Sequence, residues 1–466
     1  MQRLTEDYQN NVAYMDRALR VGKSFDMLKK TIALSGGELT LYFIDGFAKD
    51  TVLMKLFMGL SSVKKMPDAK DFMEQNLPYI ETDVIEDVAL MIQSVMSGGA
   101  LILGSSFGAR AIVLDTRTSP ARETSEPEGD RVMRGSRDGF VETLIFNTAL
   151  IRRRIRNPSL TMQYFKIGRD SQSDVVLCYM ADRADKSYVE KLAKKLSAVD
   201  TDSLVMGHES LKECLIKQKW YNPFPKVRTT ERPDAAAAQL LEGSVLILVD
   251  NSPQVMVLPS TIFDFMQESN DFYFPPLTGT YIRILRYVVF FVTLMLTPSF
   301  VLLMRHPELA PEWLGFAIPD ETGKLPILVQ LLLAEFIIDA LRLASLNTPS
   351  MLNNSLAVVG GLILGDFAVD IGWLIPEVIL YMAFAAIANF TQRSYELGYA
   401  IKFLRIMLLI LTSFFGIWGY AGGFLVILIL CATNATLNGK RNYLYPLIPF
   451  NAKALRTLIF RVKKEK

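Results

Sequence analysis

The sequence predicts an α/β soluble region of two related subdomains followed by an all-α multi-pass membrane domain. Three observations carry this. Residues 1–282 alternate short β-type runs with segments of helical period, and long apolar runs begin at Ile284. The order strand, helix, hairpin also occurs twice in the front half. The chain has 466 residues, half of them hydrophobic, with 50 Lys+Arg against 48 Asp+Glu for a formal net charge of +2. That balance excludes a disordered chain and a nucleic-acid binder with a globally basic surface.

Residues 1–26 read as a polar lead-in helix and lack the apolar core of a signal peptide, so the front end is expected on the cytoplasmic side. Leu39–Gly46 is a β-run closed by a turn, Thr51–Leu60 is helical, and residues 78–98 have a helical period. Gly99–Leu114 holds two β-runs around a tight turn. A polar loop, 115–135, then leads to a basic helix around Asn147–Arg156. The order recurs: Val175–Asp182 is a strand ending in Asp, Tyr188–Leu196 is helical, and Gly243–Leu258 is a hairpin. This hairpin aligns without a gap with Gly99–Leu114 at an offset of 144, and Asp182 aligns with Asp45 at an offset of 137. The boundaries expected are a lead-in (1–26), α/β subdomains at 27–140 and 141–282, a transmembrane domain at 283–438 and a basic cytoplasmic tail at 439–466. That tail holds eight Lys/Arg and one Glu.

Tyr287–Met304 is an uncharged run long enough to span a bilayer with help from its flanks. Ile406–Asn438, uncharged and interrupted by Gly419-Tyr-Ala-Gly-Gly423, reads as a helical hairpin, and Val378–Phe390 as another buried helix. Leu325–Leu346 and Asn354–Gly372 are apolar but carry charges. Arg283 and Arg286, then Arg342, Arg393, Lys402 and Arg405, mark inner-face positions, so both ends lie inside and the crossings are even in number, six or four plus a re-entrant pair.

Cys178, Cys214 and Cys431 are far apart and form no CxxC pair, which argues against a disulfide framework, a cysteine zinc site or a thioredoxin-like motif. His208 and His306 have no ligand spacing and read as structural, so no cofactor or metal is expected. Gly104-Ser105-Ser106-Phe107-Gly108 matches the nucleophile-elbow spacing, yet a β-run follows it where that motif needs a helix. The basic cluster Arg152-Arg153-Arg154 with Arg156 reads as a solvated or interdomain face, with anionic lipid as the other reading.

The membrane part offers the sharper candidates. Glu335, Asp339 and Arg342, at i, i+4 and i+7, form a charged face on one helix. Ionisable groups in a bilayer face the protein interior or water and mark a pathway by default, the other reading being an interfacial helix. Asp366 and Asp370 share a face with Ser355, Val359 and Leu362, which suits an oligomeric pore with an acidic ring at one mouth and an apolar constriction deeper in. Gly361 and Gly365 form a small-xxx-small pair for close helix packing.

Several motifs together resemble a known family. These are Tyr42-Phe-Ile-Asp-Gly46, Arg134-Gly-Ser-Arg-Asp-Gly-Phe140 running into Asn147-Thr-Ala-Leu-Ile-Arg-Arg-Arg154, and Asn222-Pro-Phe-Pro225. Thr230-Glu-Arg-Pro-Asp234, the stretch Leu241–Asp250, and Val359-Gly-Gly-Leu-Ile-Leu-Gly365 complete the set. Over residues 25–450 the chain resembles the GerA-type A-subunit family of spore germinant receptors and its stage V sporulation protein AF-like relatives. The resemblance implies a spore inner-membrane protein that is not an enzyme, works with companion membrane proteins and a lipoprotein, and forms a homo-oligomeric ion channel releasing cations during germination. It departs from the family in its short loop 305–325 and in Asp366 and Asp370. A membrane-anchored scaffold or signalling adaptor is the alternative.

Overall fold

Met27–Leu34 (β1) and Gly37–Ile44 (β2) form a hairpin in unbroken antiparallel register, Met27 opposite Ile44. The computed structural model describes all residues except 1–3, 49, 61–62, 64, 78–80, 118–129, 131, 133–134, 217–218, 269, 320–321, 348–366, 435–436, 438–442 and 461–466. Two compact units result, Met1–Lys217 with Val227–Pro259, and Gln218–Lys226 with Ser260–Lys466.

In the first unit β2 is followed by α2 (Asp50–Leu60), α3 (Ala69–Asn76), β3 (Thr82–Ile85), α4 (Val88–Met96), β4 (Ala100–Gly104) and β5 (Ala111–Leu114), giving the antiparallel order β1-β2-β4-β5-β3. Strand side chains alternate between faces, and both faces here are covered. Tyr42, Ile44, Leu101 and Leu103 pack with α4 and with α1 (Tyr8–Ala18), while Leu39, Leu41, Ala100 and Ile102 pack with α2 and α3. That is why β4 is apolar throughout. The stretch 78–98, read from its period as helical, contains strand β3; Asp87 then caps α4 by accepting from the Ala89 amide.

The second half repeats the plan. α5 (Leu144–Arg154), β6 (Leu160–Ile167), β7 (Ser173–Met180), α6 (Lys186–Ser197), α7 (His208–Leu215), β8 (Arg228–Thr230), α8 (Pro233–Leu241), β9 (Val245–Val249) and β10 (Val255–Leu258) build a sheet of order β6-β7-β9-β10-β8, strand for strand the order of the first. The registers refine the sequence alignment. Ala100 pairs with Leu114 but Val245 with Leu258, so β5 and β10 keep the offset of 144 while β4 and β9 differ by one more. Likewise Asp45 N–H donates to the Asp26 carbonyl and Ala181 N–H to the Ser159 carbonyl, so Asp45 corresponds to Ala181, one residue before Asp182. The gapless alignment was one residue out on the central strands.

Residues 260–282, expected from the sequence in the second α/β subdomain, belong to the second unit, together with the segment 218–226. After α9 (Ile262–Met266) and α10 (Asn270–Tyr273) come α11 (Pro276–Arg305), α12 (Ile327–Asn347), α13 (Pro376–Phe390), α14 (Tyr395–Ala432) and α15 (Ala452–Ile459). By length and composition α11 and α14 suffice to cross a membrane, α14 as two apolar limbs and not as one continuous helix. Within α14 the chain reverses at Gly416, whose φ of 59° and ψ of −133° break the helix. A Cβ at Gly419 would overlap the carbonyl oxygen of Leu411, and one at Gly423 would lie 2.7 Å from Leu408 Cδ1, so the second limb runs back along the first. The expected hairpin is present, with its turn at Gly416 rather than at Gly419–Gly423; those glycines let the limbs approach.

Candidate functional site

The i, i+4, i+7 spacing of Glu335, Asp339 and Arg342 on α12 places all three toward the start of α14. Both Glu335 oxygens accept from Arg405 Nη2, at 2.8 and 2.7 Å, and Lys402 Nζ lies 3.3 Å from the same carboxylate. Lys402 also donates to Asp339. Arg405 Nη1 reaches the Thr293 carbonyl on α11 at 3.4 Å, so one guanidinium ties three helices together. Glu335, Lys402 and Arg405 are 8%, 5% and 4% exposed, so the two cations and the Glu335 carboxylate are withdrawn from solvent together, while Asp339 stands half-exposed at the edge of the cluster. Such a cluster persists only because each charge is matched; removing one partner leaves another desolvated and uncompensated.

Arg342 continues this face in another way. Its guanidinium carbon lies 5.4, 5.4 and 5.1 Å from the ring centres of Phe390, Tyr395 and Tyr399, at the turn joining α13 to α14. Aromatic faces carry negative potential and hold the cation there. At the opposite end of α12, Gln330 accepts from the Ile375 N–H at 3.0 Å and donates to the carbonyls of Thr322 and Leu325, both at 2.8 Å. Lys324 N–H donates to the Gly372 carbonyl. α12 and α13 therefore run in the same direction, with Gln330 and Arg342 bracing their two ends.

The acidic half of this cluster is evident in the sequence, whereas Lys402 and Arg405 read there only as markers of the inner face. The available signal was their i, i+3 spacing just ahead of an uncharged run, which matches two acids four apart on a neighbouring helix. Arg283 and Arg286, also read as markers, are buried: Arg286 donates to Asp271 at 2.9 and 3.1 Å and to Glu268 at 2.6 Å, and Arg283 lies 3.4 Å from Asp271. Asp370 is exposed. Ser355, Val359, Gly361, Leu362, Gly365 and Asp366 lie outside the described residues.

The remaining candidates have structural placements. Ser106 sits in the turn between β4 and β5 and donates to the Pro67 carbonyl at 2.6 Å, with a strand where an elbow requires a helix. His208 Nδ1 is 2.6 Å from Ser252 Oγ, fastening α7 to the β9–β10 turn, and its Nε2 lies 3.2 Å from Glu209. That contact, with Lys212 adding to it, holds the Glu209 carboxyl down at about 2. The Arg152 cluster splits: Arg152 is buried against Asp26, Arg154 pairs with Asp138, and Arg153 and Arg156 are exposed. No group of three or more metal-ligating side chains occurs among the described residues.

This arrangement, a duplicated α/β unit followed by charged and apolar helices, is matched along nearly its whole length by one family profile. The description "Bacillus/Clostridium GerA spore germination protein" aligns with residues 14–466. The chain belongs to the GerA family. Among GerA relatives, stage V sporulation protein AF of Bacillus subtilis (strain 168) is 36% identical over 461 residues, covering 97% of this chain and 92% of that protein. Spore germination protein KA of the same organism is 28% identical over 453 residues, covering 95% and 82%. The crystal structure of the N-terminal domain of the A subunit of the Bacillus megaterium spore germinant receptor GerK3 aligns with 56% of this chain and 98% of its own, at 22% identity and a TM-score of 0.40. Leu241–Asp250 runs from the end of α8 through β9, and Arg232, fully buried, holds Asp234 while donating to the carbonyls of Asp130 and Ser136.

Proposed function

We propose that this GerA-family chain is a non-enzymatic, multi-pass membrane subunit of a spore germination complex, and that several copies enclose a conduit for cations. The observation that carries the reading is the Glu335–Arg405–Lys402–Asp339 cluster set among apolar helices. An anchor needs only apolar helices, whereas ionisable groups at bilayer depth are expensive and are kept for a purpose. In this reading the cluster holds α11, α12 and α14 as a rigid frame. The face Ser355, Val359, Leu362, Asp366 and Asp370 then lines the water path, with the acids favouring cations and Val359 and Leu362 gating by dewetting. Both termini lie on the cytoplasmic side of the spore inner membrane, and companion membrane proteins, a lipoprotein and lipids are the partners.

The test is potassium efflux from vesicles reconstituted with the purified full-length chain. Efflux is expected in the wild type, a change in its rate in Val359→Ala, and a loss of cation preference when Asp366 and Asp370 are both replaced by Asn. A reconstituted oligomer that never conducts overturns the conduit. The competing reading, a docking scaffold, is favoured by the exposed Met54 and Met58 on α2. It is supported if the double Asn variant releases ions normally in spores while deletion of residues 28–260 abolishes assembly.

A further inference from the structure

One end of the helical unit carries aromatic and cationic side chains that its own packing leaves in solvent. Arg283 Nη1 donates to the carbonyls of Thr457 and Leu458 at 3.1 and 3.4 Å, pinning the C-terminal end of α15 beside the second turn of α11. The uncharged run of α11 begins four residues later, at Tyr287, about 6 Å along the axis at 1.5 Å per residue. α15 thus lies level with the edge of the apolar run. The segment 218–226 reaches the same end, because Asn222 Nδ2 donates at 3.2 Å to the carbonyl of Leu430, two residues before α14 stops.

Around this level Trp220 is 95% exposed and Phe450 71%. Lys219 Nζ stands 5.6 Å over the Tyr221 ring. Lys453 and Arg456 on α15 are exposed and have no carboxylate partner among the described residues. The sequence beyond α15 adds Arg461, Lys463, Lys464 and Lys466 against one Glu. Large exposed rings and exposed cations on segments that reach the margin of an apolar span suit the headgroup layer: the rings take the glycerol level and the cations the phosphates. An acidic protein surface would match the cations but not a ring left almost wholly in water.

We propose that this end of the unit is a docking surface for anionic phospholipid, in which Lys453 and Arg456 contact lipid phosphate and Trp220 and Phe450 enter the interface. The inference rests on the membrane reading above and is independent of conduction. The full-length chain, delipidated in neutral detergent, is offered phosphatidylglycerol or phosphatidylcholine, and retained lipid is counted by native mass spectrometry. Wild type is expected to retain phosphatidylglycerol in preference by about tenfold, falling toward parity in Lys453→Gln/Arg456→Gln and in raised salt. The charge-conserving Lys453→Arg/Arg456→Lys pair is expected to keep the preference, which separates charge from folding. Equal retention of the two lipids by wild type, or a preference unchanged in the Gln pair, overturns the proposal. A chain that retains neither lipid overturns the membrane reading and this inference with it, whereas retention of both without preference overturns this inference alone.

Discussion

Arg152 grips Asp26 from 126 positions away, Nε donating to one carboxylate oxygen at 2.9 Å and Nη2 to the other at 2.9 Å. The remaining donors are used as well: Nη1 reaches the carbonyls of Asn157 and Leu160, and Nη2 also reaches Ser24 Oγ. Ser24 in turn accepts from the Met162 amide of β6, and Phe25 N–H donates to the Met162 carbonyl. The chain entering the first sheet is therefore stitched to the edge of the second, with a fully buried bidentate pair as the rivet.

Removing one half of that rivet leaves a charge with no route to water. Asp26→Asn is expected to destabilise the α/β unit by about 3–5 kcal/mol, since a buried guanidinium loses its counter-charge. Replacing both residues by Leu is expected to cost less than the single change. Thermal unfolding of the full-length chain, read as a double-mutant cycle, checks this; additive single effects would show that the two side chains do not form one unit.

Glu335 plays the corresponding part among the helices. Glu335→Gln leaves the buried Arg405 without a counter-charge and Lys402 with Asp339 as its remaining carboxylate, and is expected to cost about 3–5 kcal/mol. The double variant Glu335→Gln/Arg405→Gln is expected to cost less than the two single changes added together. Thermal stability in detergent measures all three, and strictly additive effects would count against direct pairing.

What could be read from the sequence follows from how local each signal is. The hairpins β4–β5 and β9–β10 were legible because apolar runs flank a tight turn, and the repeat was legible because its parts keep their order. β3 and β8, four and three residues long, were not, since neither is long enough to show alternation. The one-residue slip between Asp45 and Asp182 arose because an Asp at a strand end is a turn residue, free to move along the chain, whereas cross-strand pairing is not. In the site, Glu335 and Asp339 stood out as charges within an apolar segment. Lys402 and Arg405 sit just before an apolar run, where cations ordinarily mark topology, so only the packing of α12 on α14 shows them as counter-ions. Arg152 was hidden for a similar reason: three adjacent arginines look alike until α5 buries one, pairs one and exposes one.

The three thiols provide a direct check of burial. Cys214 is exposed, while Cys178 on β7 and Cys431 on α14 are buried, and burial pushes the Cys178 thiol well above the usual cysteine range. Maleimide treatment of the native chain is expected to modify Cys214 alone, Cys214→Ser to abolish rapid labelling, and denaturation to expose all three. Rapid native labelling of Cys178 would mean that β7 is not buried between β6 and β9 in the second sheet.

The reversal in α14 separates neighbouring glycines that look interchangeable in the sequence. Gly416 holds a backbone conformation available almost solely to glycine, so Gly416→Ala is expected to cost about 1–3 kcal/mol. A Cβ at Gly423 would lie 2.7 Å from Leu408 Cδ1 and 3.7 Å from Leu408 Cα, so a leucine there has no room beyond its Cβ and Gly423→Leu is expected to part the limbs. A Cβ at Gly422, one position earlier, would meet nothing within 4 Å, which puts that residue on the open side of the same limb. Gly422→Ala is therefore expected to be neutral or to stabilise by up to about 1 kcal/mol, the usual gain of alanine over glycine within a helix. The contrast is read from thermal unfolding of the full-length chain in detergent. A loss for Gly423→Leu with none for Gly422→Ala places Gly423 between the limbs, whereas equal effects at both positions would mean that α14 does not fold back on itself at Gly416.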